Sequence, residues 1–395
     1  MKRNVFIGAG FIALLSALGV SQSVLEKKAL AQAGGGITAP RFEVDPMWPK
    51  PLPNGWYIGQ TIGVWADNQD HVWIIHRNDS LDAVEAAADQ NPPTGACCKK
   101  APPIIEFDQA GNVVHAFGGP GQGYDWPDSN HGIYVDTKGF VWIGGNGGSD
   151  GLVLKFTRDD KFVKQFGKKG VKADSNATDH FFQVAKVFVD EKANEVYVAD
   201  GYGNKRVVVM DADTGQFKRF WGAYGNKPDD KDLGRYNPSA PPAQQFRNPV
   251  HCADLSVDGL VYVCDRVNDR MQVFTKEGKF VKEQWYQKDS LGDGSVWDIA
   301  FSKDAQQKYL FMSDGRNQKI RIIDRQSLEE IYNFGEGGHY PGQWYSLHSI
   351  AIDSKGNLFT TETYQGRRVQ KFVAKGIGAV PRKEMGVVWP AATGR

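Results

Sequence analysis

The sequence predicts an all-β chain closed as a six-bladed β-propeller, with four antiparallel strands to each blade. Three observations predict it. One frame of four short apolar segments, separated by polar turns, recurs six times at a spacing of about 40 to 50 residues. Composition agrees: 45 glycines in 395 residues, 12% aromatic and 24% charged residues describe a turn-rich soluble β protein. Finally, three histidines fall at the same place in alternate copies of the frame, as a closed ring of six would require for them to meet on its axis.

The second copy displays the frame best. Gly132 to Asp136 is strand one and Thr137-Lys138-Gly139 a turn; Phe140 to Gly144 is strand two. Leu152 to Thr157 is strand three, and after a polar turn Lys161 to Phe166 is strand four. Apolar alternation broken by short polar turns marks antiparallel strands. The first copy runs from Ile62 to Gly118 and the third from Val184 to Gly222. The fourth holds Leu260-Val261-Tyr262-Val263 and Phe280 to Trp285, the fifth Tyr309 to Gly335, the sixth Leu358-Phe359-Thr360 and Val369 to Phe372. No such unit buries both faces of its sheet alone, so neighbours must stack and the ring close. The sixth copy lacks a clear fourth strand. Arg41-Phe42-Glu43-Val44 is expected to supply it from the other end of the chain, with a linker strand as the alternative.

The expected organisation is a signal peptide at 1–31, an N-terminal segment at 32–55, the propeller at 56–375 and a tail at 376–395. Lys2 and Arg3, the apolar Val5 to Val20 and Ala29-Leu30-Ala31 make the export pattern, and an uncleaved N-terminal anchor is the alternative. Export implies a periplasmic or extracellular, oxidising compartment, where the four cysteines can pair. Cys252 and Cys264 flank one hairpin and are expected to face each other; Cys97-Cys98 is either an adjacent bridge or an exposed pair. Residues 80–103 and 223–246 interrupt the frame as long insertions suited to covering or rimming a pocket. The formal net charge of +1 gives no reason to expect nucleic acid or an acidic surface as a partner. A monomer is expected, with no membrane contact beyond the N-terminal anchor.

The chemistry is carried by the register. His131, His251 and His348 each lie eight residues before a turn glycine, Gly139, Gly259 and Gly356. A lone histidine at a strand start is usually a satisfied polar residue. Three at equivalent axial positions form one face of a cation site with open positions opposite, the layout of a catalytic zinc centre. The equivalent residues of the other copies, Ile62, Ala185 and Trp297, offer no metal-binding side chain. The remaining histidines, at 71, 76, 115, 180 and 339, share no register and are expected on the surface or in loops.

Strand two runs back to the mouth where strand one began, so residues at its end should flank the metal. Arg77 and Arg266 occupy that place in copies one and four, each seven residues past the turn (Asp70, Gly259). Two arginines facing each other beside a cation call for an anion between them and suit a bidentate carboxylate clamp. Rim ion pairs with Asp79 and Asp265 are the alternative. Tyr202, one position past the same place in copy three, would have its phenol drawn below ~10 by such neighbours and could serve as a general base. A packed turn aromatic is its alternative.

At these residues the chain resembles the NHL-repeat propellers and, within them, peptidyl-α-hydroxyglycine α-amidating lyase, over roughly residues 56–375. The resemblance puts the family's zinc ligands on His131, His251 and His348. Its active-site arginines fall on Arg77 (in Ile75-His76-Arg77-Asn78-Asp79) and Arg266 (in Cys264-Asp265-Arg266), and its tyrosine on Tyr202 (in Asp200-Gly201-Tyr202). It implies Zn2+ and cleavage of a C-terminal α-hydroxyglycine to an amide and glyoxylate, a peptide or small-molecule substrate bearing a carboxylate. The chain departs from the family in two places. Pro-His-Asp becomes Leu347-His348-Ser349, and because that Asp helps hold a structural Ca2+, calcium is left open. A family cysteine pair falls on Phe182 and Gly203, so that disulfide is absent. Two rival readings stand beside this one: a non-catalytic propeller binding a protein or glycan at the cell envelope, and a calcium-dependent lactonase or esterase. Three imidazoles argue against the last, whose sites favour oxygen ligands.

Overall fold

A computed structural model describes residues 37–380; the expected signal peptide lies outside the described residues. Six four-stranded antiparallel sheets stand around one axis. Their innermost strands are Gln60–Ala66, Asn130–Val135, Val184–Asp190, Val250–Leu255, Asp298–Phe301 and Leu347–Ile352. Each packs on the innermost strand of the next blade, and that of blade six returns to blade one, so the ring is closed. Blade two follows the predicted frame closely, with strands Asn130–Val135, Val141–Gly145, Leu152–Phe156 and Phe162–Gly167.

The last blade draws on both ends of the described chain. Its order from the axis outward is Leu347–Ile352, Leu358–Glu362, Arg368–Val380 and Ile37–Asp45. The outer pair is antiparallel, from Ile37 opposite Val380 to Asp45 opposite Lys371. The tail boundary expected at 376 thus falls inside a strand.

The cores lie between blades, where alternate residues of the facing sheets interdigitate. Ile62, Trp73 and Ile75 of blade one pack with Ile133, Val141 and Ile143 of blade two, and the same pattern passes around the ring. Buried carboxylates fasten the second strands to the third. Asp200 pairs with Arg206 at 2.8 Å, Asp265 with Arg270 at 2.7 Å, and Asp314 with Arg321 at 2.6 Å. The Asp200 and Asp265 carboxylates also accept the backbone N–H of Phe182 and Arg247, gripping the chain shortly before the inner strand of their own blade begins. Burying these charges without their arginines would be strongly unfavourable. Cys252 and Cys264 sit opposite each other in the ladder and are joined, with Cα atoms 4.9 Å apart; Cys97 and Cys98 are also joined. Among the described residues no helix is long and apolar enough to cross a membrane.

Candidate metal centre

The inner strands carry β-bulges near their axial mouth, and these build the site. In blade one Thr61 faces His76 and Gly63 faces Ile75, which leaves Ile62 without a partner. The same slip leaves out Ala185 in blade three and His251 in blade four, and a shift follows His131 in blade two and spans His348 in blade six. A bulge re-aims side chains and withdraws backbone groups from the ladder. Here it turns the imidazoles toward the axis and frees the carbonyls of Ile62 and Ala185, while that of Trp297 lies just before the inner strand of blade five.

His131, His251 and His348 are all buried, with ring centroids 4.9 to 5.2 Å apart. One nitrogen from each lies within 4.8 Å of the others. The Nδ1 atoms are already engaged. That of His131 meets the Ala185 carbonyl oxygen at 2.6 Å, and that of His251 meets the Trp297 carbonyl at 2.5 Å. The Nδ1 of His348 meets Ser349 Oγ at 3.0 Å, whose hydroxyl donates in turn to the Ile62 carbonyl at 3.1 Å. A carbonyl can only accept, so Nδ1–H donates and each Nε2 keeps its lone pair for the axis. That is the orientation metal-binding histidines take. Ile62, Ala185 and Trp297, the residues without metal-binding side chains, therefore serve through their backbones.

Charge at the site favours neutral imidazoles. Burial holds all three histidines well below their ordinary value; the Arg266 guanidinium pushes the same way at each of them, and that of Arg77 does so at His131 and His348. The donor set fits a borderline-soft divalent ion such as zinc: three neutral nitrogens converge on one side of the axial position. The channel on the far side is nearly filled, with room of about 10 Å³ lined by His131, His251, Lys186, Asp298 and Ser349. That is about one water, so a larger ligand must come from the mouth.

The other predicted residues gather there. The Tyr202 hydroxyl lies 3.0 Å from Nε2 of both His131 and His251. Arg266 Nη1 donates to that hydroxyl at 3.1 Å. The Arg266 guanidinium lies 4.3 Å from the centroid of the Trp297 ring and 5.5 Å from that of Tyr202, while its buried Nε finds no partner among the described residues. Arg77 is held by neutral acceptors, Gln60 Oε1 at 3.0 Å, Asn146 Oδ1 at 2.8 Å and the Asn130 carbonyl at 3.3 Å. Neither arginine takes the rim carboxylate that was its alternative. Asp79 pairs with Lys100 and Asp265 with Arg270; among the described residues the carboxylate beside Arg266 is that of Asp293, at 3.8 Å.

One expectation about the histidines fails. His76 is fully buried in the second strand of blade one rather than exposed. Its Nδ1 accepts the Gly59 N–H at 3.1 Å and its Nε2 lies 2.9 Å from the Pro102 carbonyl, so it is a structural histidine satisfied by backbone. Burial drives it down to about 4. Absence from the axial register says nothing about burial.

Tyr364 also escaped the sequence reading. It lies two residues past the second strand of blade six, as Tyr202 does in blade three, so the same register could have found it. Burial and then Asp293 raise its phenol above the ordinary value, while Arg266 and Arg77 act against them. Arginines on blades one and four thus alternate around the mouth with tyrosines on blades three and six. The insertions rim this mouth. Glu85 of the first pairs with Arg367 beside Tyr364. The second closes a cavity of about 660 Å³ lined by Arg235, Tyr236, Arg247, Arg266 and Asp293, among others.

No family model matches the chain. It is 26% identical over 300 residues to NHL repeat-containing protein 3 of Mus musculus, covering 74% of this chain and 69% of that protein. It is 27% identical over 323 residues to the probable peptidyl-alpha-hydroxyglycine alpha-amidating lyase of Caenorhabditis elegans, covering 78% and 81%. Against peptidyl-glycine alpha-amidating monooxygenase B of Xenopus laevis the identity is 26% over 242 residues, 57% of this chain but only 24% of that protein. Among solved structures, a streptogramin B lyase superimposes with a TM-score of 0.50 at 13% identity, over 85% of this chain and 98% of that one. A protein of unknown function from Bacteroides thetaiotaomicron gives 0.53 at 13% identity, over 85% and 77%. At such identities the two structures speak for the fold alone. With ring, register and relatives together, the chain is a six-bladed β-propeller homologous, at about 26% identity, to NHL repeat-containing proteins and amidating lyases.

Proposed function

We propose that this chain is an exported, zinc-dependent lyase that cleaves an N-acylated α-hydroxyglycine to an amide and glyoxylate. One observation carries the reading: three neutral imidazoles from alternate blades turn their free nitrogens to the axis, and the Tyr202 hydroxyl stands on two of them with Arg266 behind it. His131, His251 and His348 would hold the metal. Bound there, zinc supplies Lewis acidity toward the substrate hydroxyl.

The chain's own groups do the rest. Among the described residues Arg77 has neutral hydrogen-bond partners and Arg266 has no carboxylate nearer than Asp293 at 3.8 Å, so both guanidiniums keep charge to offer the substrate carboxylate. Held so, the hydroxyl points toward Tyr202, which acts as the phenolate and takes its proton. The C–O bond becomes a carbonyl as the C–N bond breaks; the amide nitrogen leaves with the bonding pair and takes up the proton that Tyr202 removed. The acyl arm has room in the cavity beside Arg266. The predicted leader and two disulfides support an oxidising destination outside the cytoplasm.

The test is glyoxylate release from an N-acyl-α-hydroxyglycine and from its carboxamide analogue. The acid should be turned over and the carboxamide poorly or not at all. Tyr202→Phe should lower kcat by about 10²- to 10⁴-fold with metal content unchanged. Arg77→Ala should raise KM and also slow turnover, because orientation is lost. A wild-type chain inert toward both compounds, or variants as fast as wild type, would move the assignment to a binding propeller.

A further inference from the structure

The channel behind the histidines contains a second polar layer. Lys186 Nζ lies 2.7 Å from Asp254 Oδ2 and 2.6 Å from Asp298 Oδ1, with all three residues buried. Asp254, Asp298 and Cys252 have the mutual spacing of metal ligands. They are no second metal site, because Cys252 is spent in a disulfide and the ammonium sits between the carboxylates. Burial works against the ammonium, yet the two carboxylates hold it above its ordinary value.

The position of the cluster in the chain gives it a role. Lys186 directly follows Ala185, whose carbonyl orients His131, and Asp298 directly follows Trp297, whose carbonyl orients His251. Asp254 lies on the same inner strand as His251, and Asp298 Oδ2 accepts the N–H of Ile350, two residues past His348. One cluster therefore ties together the inner strands of blades three to six just behind the imidazoles. One ammonium against two carboxylates also leaves a net charge of −1 there above about pH 6, the value to which burial raises Asp254. The mouth carries the opposite sign through Arg77 and Arg266, which disfavour a cation on the axis.

We infer that Lys186, Asp254 and Asp298 are positioning residues of the metal centre: they fix the carbonyls that orient His131 and His251, and they place a buried negative charge behind the bound cation. This rests on the metal reading of the histidines and not on the lyase reading, so metal binding without substrate tests it.

Asp254→Asn isolates the charge. It keeps the shape and an oxygen for Lys186, and among the described residues Asp254 Oδ1 has no partner to lose. Zinc affinity, measured by chelator competition on the full chain, should fall about tenfold, within the range for groups that support metal ligands. The melting temperature of the metal-free protein should stay close to wild type. Lys186→Met removes the tie between the strands while leaving both carboxylates in place, and in the folded variant the visible spectrum of bound cobalt(II) should shift. Wild-type zinc affinity in Asp254→Asn overturns the charge role whatever Lys186→Met does. A folded Lys186→Met with the wild-type cobalt spectrum overturns the positioning role. A loss of affinity that merely follows lowered metal-free stability also counts against the inference. A wild-type chain that takes up no metal overturns it together with the metal reading, while a metal-binding but inactive chain leaves it standing.

Discussion

A histidine is defined here by what its second nitrogen touches. His76 and His131 are both buried, but one has both nitrogens engaged by backbone and the other sends its Nε2 to the axis. His76 accordingly contributes pH dependence to the fold. Its folded value of about 4 lies below the ordinary 6.5, so the folded chain binds fewer protons than the unfolded chain between the two. Its contribution is complete above pH 6.5 and is lost as pH falls toward 4, on the order of 3 kcal/mol at most for a shift of that size. His76→Gln can accept from Gly59 and donate to Pro102 without titrating. Thermal melts from pH 7 to 4.5 should show a shallower loss of stability for the variant than for wild type in the same metal state. Equal slopes would remove His76 as the source.

At the scale of the element, the bulge joins fold to site, and it explains what could and could not be read in advance. The register of His131, His251 and His348 was legible because each stands at a fixed offset from a turn glycine. The strand ends that bring Arg77, Arg266 and Tyr202 to the mouth followed from antiparallel pairing. The carbonyls of Ile62, Ala185 and Trp297 were not legible, since a backbone group carries no letter, and the residues seemed inert for want of a ligating side chain. Lys186 and Asp298 were hidden for a related reason: their meaning comes from blades that only the closed ring brings together. Gly132 tests the element directly. It lies in the bulge after His131 with φ +67°, and a Cβ there would sit 2.4 Å from the Ala185 oxygen, the acceptor of His131 Nδ1. Gly132→Ala must strain the backbone and displace that carbonyl. Zinc affinity should fall at least tenfold while the far-ultraviolet spectrum of the folded protein is unchanged. Wild-type metal affinity would show that the carbonyl contact does not orient the ligand.

The whole molecule depends on a closure that the repeat alone does not supply. Six copies of the frame were visible in the sequence, but five blades use their own fourth strand and the sixth borrows Ile37–Asp45. The borrowed strand is more than a hydrogen-bonded edge. Ala39 and Val44 are buried, and the Phe42 ring lies 5.4 Å from Phe311 and 5.6 Å from Phe334, both of blade five. It thus seals the seam between the last two blades, and blade six carries His348. Burial of these side chains is worth roughly 5 kcal/mol at about 1.5 to 3 for each large one, a substantial part of a typical folding free energy of about 5 to 15. Its removal would also expose Arg368–Val380 as an unpaired edge, prone to pair with another chain. A chain that starts at Pro46 should therefore melt at least about 5 °C lower, by the usual scaling for large domains. It should also self-associate and hold zinc less tightly than the parent. A peptide of Ile37–Asp45 added in excess should restore the melting temperature by mass action, because it binds only the folded ring. An unchanged melting temperature in the shortened chain, or no response to the peptide, would mean that the ring closes without its borrowed strand.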